Sequence, residues 1–248
     1  MQFLRSLLFN VLMYLWMLVV AVPLPALLKP RWSWAVCQAY CRGVLWMLRT
    51  IVGLRVETRG TVPEGQVLVA AKHQSFLDVF AIFVALPRAF FIMKDILKWT
   101  PFVGWYALRM GTLTVKRGRR SEAVKTMVAK VRDGTRDPGQ LVIYPQGTRT
   151  APGAHLPYKA GTFALYEQLG QPCVPVAGNV GLFWPKRGIT RKPGTAVIEF
   201  LEPIPPGLDR DTFMAELERR IEEGSNRLMA EAGFDVASTE AGRRVAAA

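Results

Sequence analysis

The sequence has few residues that could form disulfides or bind metals. Its 248 residues include only three cysteines and two histidines. Cys37 and Cys41 are one helical turn apart and Cys173 is distant from both, so we expect no disulfide framework and a chain that faces a reducing compartment. His73 and His155 are far apart in the chain, so no metal-ligand cluster is predicted, and no cofactor of another kind is expected.

Several common catalytic motifs are also missing. There is no G-x-S-x-G turn, so Ser75 is not expected to be a hydrolase nucleophile. There is no Walker A motif, no G-x-G-x-x-G loop and no H-E-x-x-H helix. These absences argue against P-loop nucleotide-binding proteins, dinucleotide-binding enzymes and zinc proteases.

Acidic residues are scarce relative to basic ones. The chain has 19 Asp and Glu against 32 Lys and Arg, which gives a net charge of +13. This balance favours an anionic partner such as a membrane surface, an acidic substrate or nucleic acid. The basic residues are scattered between apolar segments, and no zinc-finger or helix-turn-helix pattern occurs. We therefore expect no nucleic-acid partner.

The N-terminal segment is predicted to form a membrane-binding helix pair. Residues 6–28 carry no charge, a stretch long enough for a hydrocarbon layer of about 30 Å. Pro23 and Pro25 limit the continuous helix to about 7–22, or roughly 24 Å. The next apolar, Trp-rich segment contains Arg42, which costs about 3 kcal/mol at a bilayer centre. We expect two helices that dip into or lie on one leaflet rather than two clean spans.

A cleaved signal peptide is the competing interpretation of this segment. It has less support, because Arg5 gives only a thin positive region and no small-x-small cleavage site precedes a polar start. The sequence leaves open whether the helices span the membrane or only dip into it.

From Gly53 onward, segments typical of strands alternate with segments typical of helices. Apolar runs such as QVLVAA and QLVIYP indicate buried strands, and residues 121–134 indicate a helix capped by Ser121. The alternation predicts an α/β fold with a mixed central sheet flanked by helices. The expected organisation is a membrane-associated helix pair at 1–52, an α/β domain at 53–234 and a flexible tail at 235–248.

His73 and Asp78 lie in the stretch AAKHQSFLDVF, between a predicted strand and a predicted helix. An offset of five residues separates two side chains by about 140° on a helix and puts them on opposite faces of a strand. The two residues can meet only if the chain turns between them. Ser75 is a suitable N-cap, and Ser75-x-x-Asp78 approximates a capping box. The alternative is that Ser75 and Asp78 only cap the helix and His73 only fills a corner.

Basic residues follow other predicted strands, at the edge where open α/β sheets collect ligands. Lys116 and Arg117 end the strand GTLTVKR, Gly147 and Arg149 lie in YPQGTRT, and Lys159 precedes a predicted helix. Arg and Lys side chains beside a helix N-terminus suit a phosphate group. Each of these basic residues alone is typical of an ordinary solvated surface charge.

Four blocks in this order resemble the glycerolipid acyltransferase family, most closely its bacterial 1-acyl-sn-glycerol-3-phosphate acyltransferases. They are His-x4-Asp at 73–78, GTLTVKRG, YPQGTRT and CVPVAGN, over roughly residues 67–179. The resemblance implies that His73 is a general base oriented by Asp78. It also implies that Arg117 and the turn Gly147-Thr148-Arg149 hold the acceptor's glycerol phosphate, and that CVPVAGN helps to form the acyl-donor side.

The resemblance further implies a reaction and a location. The reaction is acyl transfer from acyl-carrier protein or acyl-CoA to the sn-2 hydroxyl of lysophosphatidic acid, making phosphatidic acid. The location is the bacterial inner membrane, with the catalytic domain on the cytoplasmic side. Two alternatives stay open: acylation of another lysolipid such as lyso-ornithine lipid, and a non-catalytic membrane-surface protein that binds anionic lipid. The sequence does not indicate an oligomeric state.

Three positions depart from the family's usual pattern. Lys72 replaces Asn before the histidine, Lys116 replaces Asp before the arginine, and Gln146 replaces Glu in the third block. All three changes make the site less negative, which suits an anionic acceptor and leaves no glutamate at position 146 to play a role.

Overall fold

The computed structural model describes residues 1–21, 30–100, 102–115 and 139–240. The predicted helix at 121–134, Lys116 and Arg117 therefore lie outside the described residues, as does the end of the predicted tail. The described helices are α1 (Gln2–Ala21), α2 (Pro30–Met47), α3 (Leu77–Ala85), α4 (Val103–Arg109), α5 (Gly161–Leu169) and α6 (Arg210–Glu231). The strands are β1 (Leu54–Gly60), β2 (Leu68–Ala71), β3 (Ala89–Lys94), β4 (Leu113–Val115), β5 (Gln140–Ile143), β6 (Cys173–Gly178) and β7 (Gly194–Phe200).

The strands form one sheet in the order β1-β7-β6-β2-β5-β3-β4. β2 runs parallel to β5 and β6, and β3 runs parallel to β5 and β4. Only the pairing of β6 with β7 is antiparallel among the described strands, so the sheet is mixed. Because β2, β3, β5 and β6 point the same way, their carboxyl ends meet at one edge of the sheet. The predicted fold class is confirmed.

Alternate residues of the central strands pack on opposite faces of the sheet, as a period of two requires. Val69 and Val142 join a core formed with α1, α2 and α3. Leu68 and Leu141 join a second core formed with α5 and α6, whose largest buried side chains include Tyr166 and Phe213. This alternation places Lys72 on the α6 face and His73 on the α3 face at the end of β2.

The helix pair packs onto the same core as the sheet. Phe9 of α1 and Val44 of α2 are fully buried in this core, and the Phe9 ring meets Trp184 edge-to-face at 5.5 Å. A large part of the α1 surface nevertheless stays exposed, and apart from Arg5 the exposed side chains are apolar: Phe3, Leu4, Leu7, Leu8, Val11, Tyr14, Leu15, Leu18 and Val19. The domain boundary at 52/53 stays a prediction.

The extent of the first helix differs from the sequence prediction. α1 begins at Gln2, five residues before the predicted start, and contains 20 residues, about 30 Å at 1.5 Å per residue. The uncharged run was a poor guide to the helix start, because Gln2 and Arg5 extend the helix beyond the apolar stretch. Among the described helices, α1 alone is long and apolar enough to cross a membrane.

Candidate active site

The chain turns sharply between β2 and α3, and this corner brings His73 and Asp78 together. His73 Nδ1 lies 2.9 Å from Asp78 Oδ1. Asp78 Oδ2 accepts hydrogen bonds from the backbone N–H groups of Gln74 and Ser75, both at 2.8 Å. Ser75 Oγ in turn accepts from Leu77 N at 3.1 Å. One carboxylate therefore binds both the imidazole and the backbone of the corner that precedes α3.

The two side chains of the pair differ strongly in their exposure to solvent. The Asp78 side chain is 2% exposed, whereas the His73 side chain is 18% exposed. The contact with Asp78 occupies Nδ1 and leaves Nε2 with no hydrogen bond to the described part of the chain. In this partly exposed side chain, Nε2 is thus the nitrogen left for a substrate hydroxyl.

Tyr144, which directly follows β5, stacks on the imidazole ring. The two ring centroids are 3.9 Å apart, with an interplanar angle of 21°. The Tyr144 hydroxyl is buried and makes no hydrogen bond of normal geometry within the described residues. Burial, and after it the nearby Asp78 carboxylate, raises the pKa of the Tyr144 phenol well above its usual value. Sequence reasoning missed this neutral ring, which fixes the plane of the imidazole.

The turn after Tyr144 is attached to the histidine corner. Gly147 has φ +69°, a conformation that favours glycine. Thr150 N donates to His73 O at 2.7 Å. The buried Gln146 accepts from Thr150 Oγ1 at 3.0 Å and donates to Leu156 O at 3.3 Å. A glutamate could not make the second bond, since a carboxylate has no N–H to donate. The Gln146 amide therefore braces the turn through a bond that the glutamate usual in the family could not make.

Arg149 lies at the end of this turn and is held from two sides. Its guanidinium packs over the Phe76 ring, with Cζ 4.4 Å from the ring centroid. Its Nη1 donates to Lys186 O at 3.3 Å, and Lys186 Nζ donates to Arg149 O at 2.9 Å. This reciprocal contact joins the turn to the loop after β6. The sequence could not indicate Lys186, because 37 residues separate it from Arg149.

Of the three remaining predicted site residues, two lie in or next to the turn. Lys159 lies next to the turn, since a Cβ on Gly147 would be 3.0 Å from Lys159 Nζ. Thr148 is exposed at the tip of the turn. Arg117 lies outside the described residues. The structure therefore brings together His73 and Asp78, and next to them the turn containing Gly147, Thr148 and Arg149 with Lys159.

The CVPVAGN block lies deeper than its expected role implies. All six residues of β6 are buried, and the strand lies between β2 and β7. Asn179 is also buried, and its amide donates to Leu228 O at 2.9 Å and accepts from Val197 N at 2.7 Å. These contacts connect β6 to β7 and α6. A role on the acyl-donor side stays a prediction.

A buried ion pair lies directly behind the histidine corner. Lys72 Nζ is 2.5 and 2.6 Å from the two carboxylate oxygens of Glu222 on α6. The two side chains are 2% and 6% exposed. Tyr158 Oη donates to Glu222 Oε1 at 3.0 Å. Burial and the adjacent carboxylate raise the Tyr158 pKa well above its usual value, so the phenol stays neutral and remains a donor.

The loop after β6 also carries the contacts that fasten α1. Arg191 packs over Trp184 at 4.4 Å, and its Nη2 donates to Asn10 Oδ1 at 3.1 Å. Ser6 Oγ accepts from Arg191 N at 2.9 Å. Burial lowers the Arg191 pKa to about 10. The first half of α1 is therefore fixed beside the loop that holds Arg149.

Within the described residues, no group of three or more His, Cys, Asp or Glu side chains could hold a metal ion. The site offers instead a nitrogen base, its carboxylate partner and an adjacent group of cationic side chains. Such an arrangement can take a proton from a hydroxyl beside an anionic group.

Comparison with known proteins finds acyltransferases at each level, from the family model to individual relatives. The family model for acyltransferases matches residues 53–178. A 1-acyl-sn-glycerol-3-phosphate acyltransferase of Pseudomonas aeruginosa is 29% identical over 198 residues, covering 79% of this chain and 77% of that protein. A lyso-ornithine lipid O-acyltransferase of Rhodobacter capsulatus is 33% identical over 139 residues, covering 56% of this chain and 48% of that protein.

A solved structure has the same fold. The crystal structure of the 1-acyl-sn-glycerophosphate (LPA) acyltransferase PlsC from Thermotoga maritima matches with a TM-score of 0.76 and 22% identity, over 93% of this chain and 98% of that chain. The family match includes the His73–Asp78 corner and the turn that contains Arg149. This chain belongs to the acyltransferase family.

Proposed function

We propose that this protein transfers a fatty acyl group to the sn-2 hydroxyl of 1-acyl-sn-glycerol-3-phosphate, making phosphatidic acid. The donor in this proposal is a thioester, either acyl-carrier protein or acyl-CoA. The observation that carries it is the 2.9 Å contact between His73 Nδ1 and Asp78 Oδ1, which leaves Nε2 as the nitrogen that can accept a proton. Membership of an enzyme family removes the support for a non-catalytic lipid-binding role.

In the proposed step, His73 Nε2 accepts the proton of the acceptor hydroxyl as its oxygen attacks the thioester carbonyl carbon. The Asp78 carboxylate stabilises the imidazolium that forms and holds Nδ1 as the protonated nitrogen. The C–O ester bond forms and the C–S bond breaks as the tetrahedral intermediate collapses. The leaving thiolate takes the proton from the imidazolium, so His73 returns to its starting state. General base catalysis of this kind contributes about 10²–10⁴-fold to the rate.

The acceptor phosphate is assigned to the turn beside the histidine. Arg149 supplies a planar guanidinium that can donate two parallel hydrogen bonds to phosphate oxygens. Gly147 allows close approach of the backbone, Thr148 adds an exposed hydroxyl, and the Lys159 ammonium lies over Gly147. Arg117 completes this set in the proposal. Because Thr150 N is bonded to His73 O, the turn keeps a fixed relation to the base.

The proposed location follows from the surface of α1. Its exposed face is apolar, and its length suits a hydrocarbon layer, so the protein associates with a membrane. We place it at the bacterial inner membrane with the catalytic domain on the cytoplasmic side, where a water-soluble donor meets a lipid acceptor. Apolar exposure of α1 together with Arg42 in α2 supports binding to one leaflet.

A second candidate acceptor is a lyso-ornithine lipid, favoured by the relative from Rhodobacter capsulatus. That lipid class lacks the phosphate that the basic turn would bind. Purified protein should therefore be assayed with lysophosphatidate and with lyso-ornithine lipid, each with acyl-CoA and with acyl-carrier protein as donor. We expect lysophosphatidate to have the higher kcat/KM with at least one donor. A higher kcat/KM for lyso-ornithine lipid with both donors would reject the proposed acceptor.

A further inference from the structure

The exposed apolar side chains of the α/β domain are distributed unevenly. Among the described residues after Gly53, every large apolar side chain that is exposed lies in a segment that follows the carboxyl end of β2, β3, β5 or β6. Phe76 follows β2, Leu156 follows β5 and Ile189 follows β6. These four strands run in the same direction, so all of these segments start at the edge of the sheet that carries His73.

The largest group follows β3, and we name it the Trp99 patch. It comprises Ile96, Leu97, Trp99, Val103, Trp105 and Leu108. Ile96 and Trp99 are 70% and 73% exposed. Monomeric soluble proteins rarely leave so many adjacent large apolar groups in water, and such a patch marks a surface that contacts a protein or a membrane.

The structure of α4 explains why Trp105 and Leu108 of the patch cannot turn inward. In α4, Tyr106 and Ala107 are buried, and Tyr106 packs against Val36 and Cys37 of α2. Trp105 and Leu108 are on the opposite side of this short helix and are therefore directed outward. The patch is thus fixed to the same helix, α2, on which α1 packs.

Three observations favour a lipid surface as the occupant. First, a second apolar surface lies at the same sheet edge: Asn10 of α1 donates to Ile189 O at 3.2 Å, in the loop that follows β6, and α1 exposes many apolar side chains. Second, the patch combines two exposed tryptophans with Lys98, whose Nζ lies 5.4 Å from the Trp99 ring centroid, and this composition is typical of a membrane interface. Third, the proposed acceptor is a membrane lipid that has to reach His73 from this edge.

We propose that the Trp99 patch is a second membrane-contact surface, separate from the N-terminal helix pair. The active-site edge is then bordered by two apolar anchors, α1 on one side and the Trp99 patch on the other. Both anchors turn His73 towards the bilayer, so that the acceptor's hydroxyl can reach Nε2 while most of the lipid stays in the leaflet. The inference rests on the proposed function only for the reason why the edge faces lipid.

The test measures lipid contact directly in the full chain. The three native cysteines, all free thiols, are replaced by alanine, and Ile96→Cys is labelled with an environment-sensitive fluorophore. Glu64→Cys carries the same label as a matched control, since Glu64 is exposed before β2, at the opposite edge. Vesicles of phosphatidylethanolamine and phosphatidylglycerol, with and without acyl-chain-brominated lipid, are then added.

We expect the label at position 96 to shift to the blue and to be quenched by brominated lipid, and the label at position 64 to do neither. An unchanged label at position 96 on protein that sediments with the vesicles would overturn the proposal. A blue shift that needs no vesicles and grows with protein concentration would also overturn it, in favour of a second copy of the chain. Neither reading depends on which lysolipid the enzyme acylates, so a failure here is distinct from a failure of the proposed function.

A charged substitution provides a second measurement. Trp99→Asp should weaken binding to the same vesicles by about ten-fold or more, because a large apolar side chain no longer enters the interface. Gln66→Asp, at the opposite edge, should bind as the wild-type protein does. Melting temperatures of both variants in detergent show whether the fold is kept. Wild-type vesicle binding by Trp99→Asp would contradict the proposal.

Discussion

At the scale of single residues, Asp78 combines two roles in one carboxylate. Oδ2 accepts hydrogen bonds from two backbone N–H groups in the corner before α3, and Oδ1 holds His73. A charged group engaged in this way stabilises both the corner and the imidazolium formed during the reaction. Sequence reasoning missed two residues of the site: Tyr144, which stacks on His73, and Lys186, which holds Arg149.

Asp78→Asn separates these roles. An amide can still accept from Gln74 N and Ser75 N, but its NH2 group facing His73 Nδ1 favours the wrong imidazole tautomer and no longer stabilises the cation. We expect kcat to fall by about 10²-fold or more, with little change in the acceptor KM. Steady-state kinetics and circular dichroism check this result. His155→Asn is the control because His155 contacts Glu218 and not the site. More than about a tenth of the wild-type kcat in Asp78→Asn would contradict the orienting role.

Arg149→Ala should reduce kcat/KM for lysophosphatidate by roughly 10–150-fold, the equivalent of one charge-assisted hydrogen bond of about 1.5–3 kcal/mol. Arg149→Lys should recover only part of the loss, because it keeps the charge but not the planar fork. Lys186→Met removes the bond to Arg149 O and should raise the acceptor KM, while its exposed neighbour Arg187→Gln should not. The rates are measured with the acceptor varied at saturating donor. An unchanged acceptor kcat/KM in both Arg149 variants would mean that the acceptor's phosphate binds elsewhere.

At the scale of secondary-structure elements, α6 is connected to the catalytic corner by a buried charge pair. The alternation along β2 directs Lys72 towards α6, where Glu222 and the Tyr158 hydroxyl receive it. Removing one partner of a buried ion pair leaves an uncompensated charge, whereas replacing both by apolar groups is often neutral or stabilising. A buried lysine at position 72 is therefore tolerated in this chain because Glu222 of α6 pairs with its charge.

A double-mutant cycle tests this connection. Lys72→Met should lower the free energy of unfolding by about 3–5 kcal/mol, because Glu222 then stays buried without a cation. Adding Glu222→Met should restore most of that loss. Arg227→Ala, at an exposed pair with Glu199 and Glu231, should cost less than about 1 kcal/mol. Denaturant unfolding in detergent measures the wild-type chain, the single variants Lys72→Met and Glu222→Met, the double variant and Arg227→Ala. A loss in the double variant equal to the sum of the losses in Lys72→Met and Glu222→Met would mean that the two charges are not coupled.

The sequence predicted most of these elements and the central contact, for physical reasons. Strands such as AFFIMK, which coincides with Ala89–Lys94, carry a local apolar pattern that needs no partner to be recognised. The His73–Asp78 contact was predictable because one turn connects the two residues. The Lys72–Glu222 pair was not, because 150 residues separate its members and no local pattern records which helix packs against which strand. The N-terminal end of α1 was missed because helix ends depend on hydrogen bonds such as that from Gln2 to Arg191 O, not only on hydropathy.

At the scale of the whole molecule, the fold joins a membrane-facing element to a site for a lipid substrate. α1 is fixed to the loop that contains Arg191, and the same loop holds Arg149 through Lys186. The loop that contains Arg191 therefore fixes both α1 and the turn that contains Arg149, so the position of one determines the position of the other. This arrangement matches an acceptor that remains in the leaflet while the donor arrives from water.

The orientation of the molecule can be tested in cells. Because α1 and α2 are expected to bind one leaflet without carrying the domain across, the region after Gly53 should stay on the cytoplasmic side. Protease added to sealed inside-out vesicles should digest this region, and protease added outside intact spheroplasts should not. A periplasmic protein and a cytoplasmic protein serve as controls for membrane integrity. Protection in the reverse sense would contradict the proposed orientation.

The most direct test of the central claim is the initial rate of phosphatidic acid formation by the purified wild-type chain and by His73→Ala, with lysophosphatidate and an acyl thioester as substrates and mass spectrometry of the product. We expect phosphatidic acid from the wild-type chain and a rate at least about 10²-fold lower from His73→Ala, with an unchanged melting temperature. Phosphatidic acid formation by His73→Ala at more than about a tenth of the wild-type rate, or none by the folded wild-type chain with either donor, would contradict it.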